Sequence, residues 1–311
     1  MDAPADLHAQ ADVHAPASRS RGLAIPIGVN LTTIGVSAGW WLESALRIEA
    51  AGYHTAWAWD HFISRGRLAD PVLECWTTLA AAAVTTSSLR VGSFVSNIMN
   101  RHPAVLARMA ATMADLSGGR LELGVGIGGH PREHEAYGID FPAAAERAAR
   151  LEETVAVLRL LLSGGPVDYV GRYYQLRGAH AFPAPQPPPR IIIGGQSPAG
   201  ARLAARIGDG WTCFAEDYDR LAPMFSEALA AAGRQRADVS VLVALHLDPF
   251  PGLDGSPERP PDELAATQPV LADLEATAAG WLARGADELV LHWIGPRQLG
   301  PVLAAGERVG L

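Results

Sequence analysis

Residues Gly119 to Gly138 read GRLELGVGIGGHPREHEAYG. A β-rich run, LELGVG, enters a cluster of glycines and leaves through a histidine and a proline. Gly124, Gly126 and Gly129 satisfy G-x-G-x-x-G, the fingerprint of a dinucleotide-binding sheet. That fingerprint belongs after the first strand of a βαβ unit, with an acidic residue ending the next strand about 20 residues later. Here three strand–helix units come before it, a polar loop and a helix of about twenty residues follow it, and no further strand pattern appears until Arg190. In a chain with 32 glycines the match is accidental.

Outward from this stretch, short β-rich runs alternate with longer helical patterns. Strand-like runs cover 23–30, 53–60, 89–96, 121–126, 190–195, 210–214, 239–247 and 286–294. Helical patterns cover 40–52, 71–86, 103–116, 143–162, 198–207, 217–232, 268–284 and 297–307. The clearest follows Pro103, where Leu106, Met109, Met113 and Leu116 recur at spacings of three and four. Strict alternation predicts a parallel sheet covered by helices, and eight units over this length predict a (β/α)8 TIM barrel. A doubly wound open sheet is the second choice. A small hairpin at 167–176 and the proline-rich link PAPQPPPR read as an insertion between units four and five, and 249–262 as a second proline-rich loop. Residues 1–22 read as a disordered tail and 23–311 as one domain.

Composition excludes several functions. The chain of 311 residues carries a formal net charge of −8 and no basic run, which argues against a nucleic-acid partner. No segment has the apolar length of a membrane span. Cys75 and Cys213 sit in apolar runs and read as buried thiols of a cytoplasmic protein. All 25 basic residues are arginine. The absence of lysine removes Schiff-base, pyridoxal-phosphate and Walker chemistries.

In a TIM barrel the active site gathers at the C-terminal ends of the strands. Gly126, Gly128 and Gly129 fall at the end of the fourth strand, and Gly194 and Gly195 at the end of the fifth, directly before a helix. Bare amides at a helix N-terminus suit a phosphate. Tight turns with no ligand would also explain one such pair; two clusters at successive strand ends favour a phosphate-bearing cofactor. The second strand ends on Asp60-His61, a pair suited to acid–base work because histidine titrates near neutrality. A surface histidine beside a capping aspartate is the plainer alternative. His246, His292, Asn97, Arg101 and His102 also lie near strand ends. The first strand ends GVNLTT, without the H-x-H pair of metal-dependent hydrolase barrels, so metal is the minor reading and no ligand set is assigned.

Four blocks in order carry a resemblance: AWAWDHF, LRVGSFVSNIMNRHPAVLARMAATMADLSGGRLELGVGIGG, EHEAYGIDFP and PPPRIIIGGQSPAGARLAARIGDGW. Together they resemble the luciferase-like monooxygenase family, in particular its actinobacterial deazaflavin-dependent branch. The resemblance implies a TIM barrel that binds coenzyme F420, or alternatively FMN, at its C-terminal rim and acts on a small organic substrate. It places His61 beside the reactive ring, with Asp60 next to it. It implies a non-prolyl cis peptide near Ser93-Phe94-Val95, at the Phe94–Val95 bond. Asn97 and Arg132 map to cofactor contacts, and Gly194, Gly195 and Ser197 to the phosphate loop. After Gly-x-Gly, where relatives often carry tryptophan or a catalytic glutamate, this chain has Gly129 and then His130. No glutamate relay is therefore expected, and His130 is taken to serve instead. Sugar-phosphate dehydrogenases of the group use lysines for the substrate phosphate, so that activity is not expected. Relatives suggest a homodimer. The FMN alternative is an oxygen-activating monooxygenase with a partner reductase. The remaining alternatives are a non-catalytic flavin-binding barrel and a metal-dependent hydrolase.

Overall fold

The computed structural model describes residues 23–64, 70–247 and 269–311. The expected tail at 1–22 and the proline-rich loop at 249–262 lie outside the described residues. Eight parallel strands close a barrel: β1 (Ile27–Leu31), β2 (Thr55–Ala58), β3 (Arg90–Asn97), β4 (Leu121–Gly126), β7 (Ile191–Gly194), β8 (Gly210–Phe214), β9 (Ser240–His246) and β10 (Glu288–Ile294). Neighbours follow chain order, and β10 pairs with β1 to complete the ring. The open-sheet alternative is thereby overturned. Between β4 and β7 stand the antiparallel hairpin strands β5 (Val167–Val170) and β6 (Gln175–Ala179).

The strands are buried almost throughout because both faces are covered: outside by helices, inside by their own side chains. Trp57, Phe94, Ile192, Leu242, Ala244 and Val290 fill the barrel. Trp57 needs room, and two glycines supply it. A Cβ on Gly28 or on Gly92 would lie 2.5 Å from the indole. Trp57 then meets Phe94 edge-on, with ring centroids 5.3 Å apart.

The covering helices are α1 (Ala38–Ala50), α2 (Cys75–Thr85), α3 (Pro103–Leu116), α4 (Pro131–Tyr137), α5 (Ala144–Leu162), α6 (Pro198–Ile207), α7 (Ala215–Ala231), α8 (Pro269–Ala272), α9 (Leu274–Ala283) and α10 (Pro296–Val309). Three differ from the sequence reading. α2 starts at Cys75 rather than Pro71, because Glu74 caps it by accepting from the Trp76 and Thr77 amides. Pro71 to Leu73 instead pair with the loop after β1, through Gly35 N–H to Pro71 C=O and Leu73 N–H to Thr33 C=O. The helix read over 268–284 is divided at Asp273, which caps α9 by accepting from Ala276 N–H. The segment after the glycines is a helix, α4, where a polar loop was expected. Pro131 opens it and Gly138, at φ 64°, closes it.

Charge closes the N-terminal mouth of the barrel. Glu122 accepts from Arg90 Nε at 2.5 Å and from Arg190 Nε at 3.0 Å. Arg190 reaches on to Glu288 at 3.6 Å, and His54 Nδ1 lies 4.0 Å from the other Glu288 oxygen. Burial, reinforced by the Glu122 carboxylate, pushes Glu288 up to about 7, while burial, reinforced by Arg90, pushes His54 down to about 4. Between their ordinary and folded values the two act in opposite senses. From about pH 4.5 to 7 the folded chain keeps a Glu288 proton that the unfolded chain has lost, so stability falls as pH rises. From about pH 4 to 6.5 folded His54 lacks a proton that the unfolded chain holds, so stability rises with pH. Glu288→Gln leaves the histidine contribution unopposed. Its stability is expected to climb more steeply than the parent's between about pH 4.5 and 6.5. Thermal unfolding at a series of pH values checks this; parallel curves for the two proteins would remove Glu288 from the balance.

Candidate functional site

At the C-terminal strand ends lies a cavity of about 630 Å³. Its wall contains Asp60, His61, Phe94, Val95, Asn97, Gly128, Gly129, Gly194, Gly195 and Ser197 of the residues anticipated from sequence. Ser93, His130 and Arg132 are not in that wall. The Ser93 hydroxyl donates to Gly124 C=O at 2.8 Å and so ties β3 to β4. Arg132 is exposed on α4.

The floor is set by the Phe94–Val95 peptide, which is cis as anticipated. Two of the glycines read as ligand space, Gly126 and Gly194, in fact make room for Val95, and so does Gly124. A Cβ on Gly126 or Gly194 would come within 2.7 or 2.8 Å of its methyl groups, and one on Gly124 would strike the Ser93 carbonyl. Gly128, at φ 75°, packs on the Asn97 carboxamide, and Gly195 packs on the backbone of Gly200. Only Gly129 of the β4 cluster faces open space. Gly124→Ala is therefore expected to cost about 1–3 kcal/mol by overpacking, and Gly129→Ala less than about 0.5 kcal/mol. Equal losses in thermal unfolding would contradict this division.

His61 sits where β2 runs out into its loop. Its Nδ1 lies 3.1 Å from Glu133 Oε2, and the same oxygen accepts from Phe62 N–H at 2.8 Å. Glu133 is fully buried on α4. Burial alone would raise its carboxyl, but the hydrogen bond and charge of His61 and the Phe62 and Ile63 amides hold it below the usual carboxylate range. This corrects the expectation that no glutamate backs the histidine. The acidic group comes from one turn into α4, four residues beyond the glycine where it was sought. His130 is not in that position; its ring stands 6.1 Å from that of His61.

Asp60 also has a different situation from a free acid–base group. Arg101 grips both its oxygens, at 2.5 and 3.0 Å, and Asn97 N–H donates to it at 2.8 Å. Its side chain is wholly buried. The Asn97 side chain is equally committed. Its oxygen accepts from Met99 N–H, and its nitrogen lies 2.8 Å from His134 Nε2. Burial, with Arg147 adding to it, lowers His134, so that ring stays neutral. His102 caps α3, its Nδ1 accepting from Ala104 N–H. Among the described residues no three His, Cys, Asp or Glu side chains converge as metal ligands. Cys75 and Cys213 are both buried and unpaired with each other.

A deazaflavin or flavin phosphate has a fitting place here. Ser197 caps α6, its hydroxyl accepting from Gly200 N–H at 3.1 Å, at the end of the cavity edged by Gly194 and Gly195. The dipole of α6 favours an anion at this point. Thr212 lines the same cavity, is buried, and its hydroxyl has no protein partner. A polar group of the bound cofactor would satisfy it.

The barrel, its C-terminal cavity and the phosphate-suited helix end define a cofactor-binding TIM-barrel protein. Residues 24–247 match the family described as luciferase-like monooxygenase, and the chain belongs to that family. It is 31% identical over 266 residues to the F420-dependent glucose-6-phosphate dehydrogenase of Amycolatopsis mediterranei, covering 82% of this chain and 79% of that protein. It is 33% identical over 222 residues to the F420-dependent hydroxymycolic acid dehydrogenase of Mycobacterium tuberculosis, covering 70% and 60%. Among solved structures it is similar in fold to an F420-dependent secondary alcohol dehydrogenase. The TM-score is 0.74 at 21% identity, over 90% of this chain and 97% of the other.

Proposed function

We propose that the protein is an F420-dependent oxidoreductase that moves a hydride between the deazaflavin and a small organic substrate. The likeness to F420-dependent dehydrogenases over four fifths of the chain supports the cofactor. The observation that carries the chemistry is His61, backed by buried Glu133, on the wall of the cavity that ends at α6.

The cofactor supplies the hydride acceptor or donor; the chain supplies the rest. Gly194, Gly195 and Ser197 would hold its phosphate, Phe94 and Val95 would floor its ring, and Thr212 and Gly129 would meet it from the walls. Because Glu133 is ionised and accepts, the proton of a neutral His61 ring sits on Nδ1. Nε2 is then the acceptor for a substrate hydroxyl proton. Glu133 is a positioning residue: it fixes that tautomer and stabilises the imidazolium as it forms. Asp60 acts through Arg101 and Asn97 and holds the ends of β2 and β3 together at the cavity wall.

Side-by-side equilibrium binding of oxidised F420 and FMN to the purified protein tests the cofactor. Tight binding of F420 alone is expected. Preference for FMN would move the protein to oxygen-dependent monooxygenation, and binding of neither would remove the catalytic reading. A cytoplasmic location accords with two buried unpaired cysteines, and no described helix is long and apolar enough to cross a membrane. We carry the homodimer expected from the family resemblance over to this chain; its mass in solution tests that.

A further inference from the structure

The last barrel strand, β10, breaks its own alternation where it reaches the cavity. Val290 points into the barrel, Leu291 packs in the main core, and His292 faces the cavity. Regular alternation would send Trp293 outward and Ile294 inward. Ile294 instead packs with Leu291 in the main core, so the strand carries one residue too many. Across the seam with β1, Val29 pairs with Leu291 and Leu31 with Ile294, which leaves Asn30 facing both His292 and Trp293. Trp293 absorbs the extra step at φ 61°. It is the one non-glycine residue with a positive φ among the described residues. A bulky side chain is strained there, and such strain persists only where the surroundings enforce it. Buried Asn30 supplies part of that enforcement. Its Oδ1 accepts from Trp293 N–H at 3.4 Å, and its Nδ2 donates to Trp57 C=O at 3.2 Å.

The strained residue stands behind the cavity wall, not in it. The Trp293 indole meets Trp59 edge-on, with ring centroids 4.3 Å apart. Trp59 does line the cavity. From there it meets His61 edge-on at 5.3 Å and donates its indole N–H to His292 Nε2 at 3.2 Å. An indole nitrogen can only donate, so Nε2 is the bare nitrogen of His292. A neutral His292 ring then carries its proton on Nδ1. The two histidines that line the cavity beside Trp59 are therefore set in opposite senses. Glu133 accepts from His61 and leaves its Nε2 available as a base. Trp59 donates to His292 and occupies the corresponding nitrogen.

We propose that Trp293 and Trp59 are positioning residues that lock His292 as the neutral Nδ1–H imidazole, so that His61 is the single histidine base of the cavity. Trp293 wedges Trp59 in place, and Trp59 sets the tautomer. The bearing on catalysis rests on the oxidoreductase reading above; the tautomer itself does not.

The test is nitrogen NMR of the full chain, without cofactor, labelled with nitrogen-15 in histidine alone. It is run at about pH 8, where an ordinary imidazole is neutral. The His292 signals are identified by their loss in His292→Gln. In the parent, Nδ1 of His292 is expected in the protonated range and Nε2 in the unprotonated range. Trp59→Phe keeps an aromatic ring but removes the donor, and Nε2 should take up the proton in all or part of the population. Trp293→Gly suits the left-handed backbone but removes the wedge, and should give a mixture of tautomers. Trp293→Phe keeps an aromatic wedge and should restore the parent pattern. If the glycine variant does not fold, Trp293→Asn, which also tolerates that backbone, takes its place. A proton on Nε2 in the parent overturns the proposal. So does a parent-like pattern in Trp59→Phe or in the variant without the wedge. F420 binding is measured separately on the same proteins. Failure to bind F420 counts against the oxidoreductase reading and leaves the tautomer result standing.

Discussion

Replacing His61 by alanine lowers turnover with F420 by about 10²–10⁴-fold, the usual worth of a positioned acid–base group, and leaves F420 affinity nearly unchanged. The two effects separate because His61 follows β2, while the phosphate site belongs to α6 after β7, three strands away around the barrel. The ring is about one fifth exposed and its partner Glu133 is fully buried, so the alanine variant removes a rim side chain and not a core one. Glu133→Gln gives a distinct signature. The amide oxygen can still accept the Nδ1 proton, so geometry survives, but the charge that favours the imidazolium is gone. Turnover is expected to fall about tenfold or more, and the limb of the pH profile that reports His61 should move to lower pH. A merely structural glutamate would change stability and leave that limb in place. Unchanged turnover in His61→Ala would remove the histidine from the mechanism altogether.

The barrel was legible because its strands are buried on both faces and each barrel strand is followed by a helical pattern, so periodicity and turn residues agreed. The bounds of α3, α6 and β8 follow directly from Pro103, Pro198 and the glycines at 208 and 210. Three things were hidden for physical reasons. α4 is seven residues long, too short for a 3.6-residue pattern to register, so Glu133 looked like one acid in a polar loop. A glycine says only that a Cβ is excluded. Whether the excluder is a cofactor or Val95 depends on a neighbouring strand. The aromatic side chains of the cavity wall, Trp59, Phe94, Phe214 and His292, lie on or directly after four different strands, and no local spacing announces them.

Arg101→Met is expected to destabilise the protein by about 3–5 kcal/mol, the cost of leaving a buried carboxylate without its cation. At the size of this chain that is a fall in Tm on the order of 10 °C. Asp60 has no exposed side-chain surface and Arg101 only 10%. Burial disfavours the Arg101 charge, but hydrogen bonding to Asp60 outweighs it and holds the guanidinium above its ordinary value. Removing the cation leaves Asp60 with the Asn97 amide as its remaining short contact and with no exposed side-chain surface. The deficit against the parent is largest at neutral pH and shrinks on acidification, because protonation removes the uncompensated buried charge. Asp60→Asn in the same chain neutralises the orphaned group, so the double variant should regain a large part of the loss. Thermal unfolding of the three proteins at pH 7 and near pH 4 measures both effects. If the single arginine variant were as stable as the parent, or if its deficit grew on acidification, Asp60 would not be ionised in the native state. The bridge joining the ends of β2 and β3 would then need another explanation.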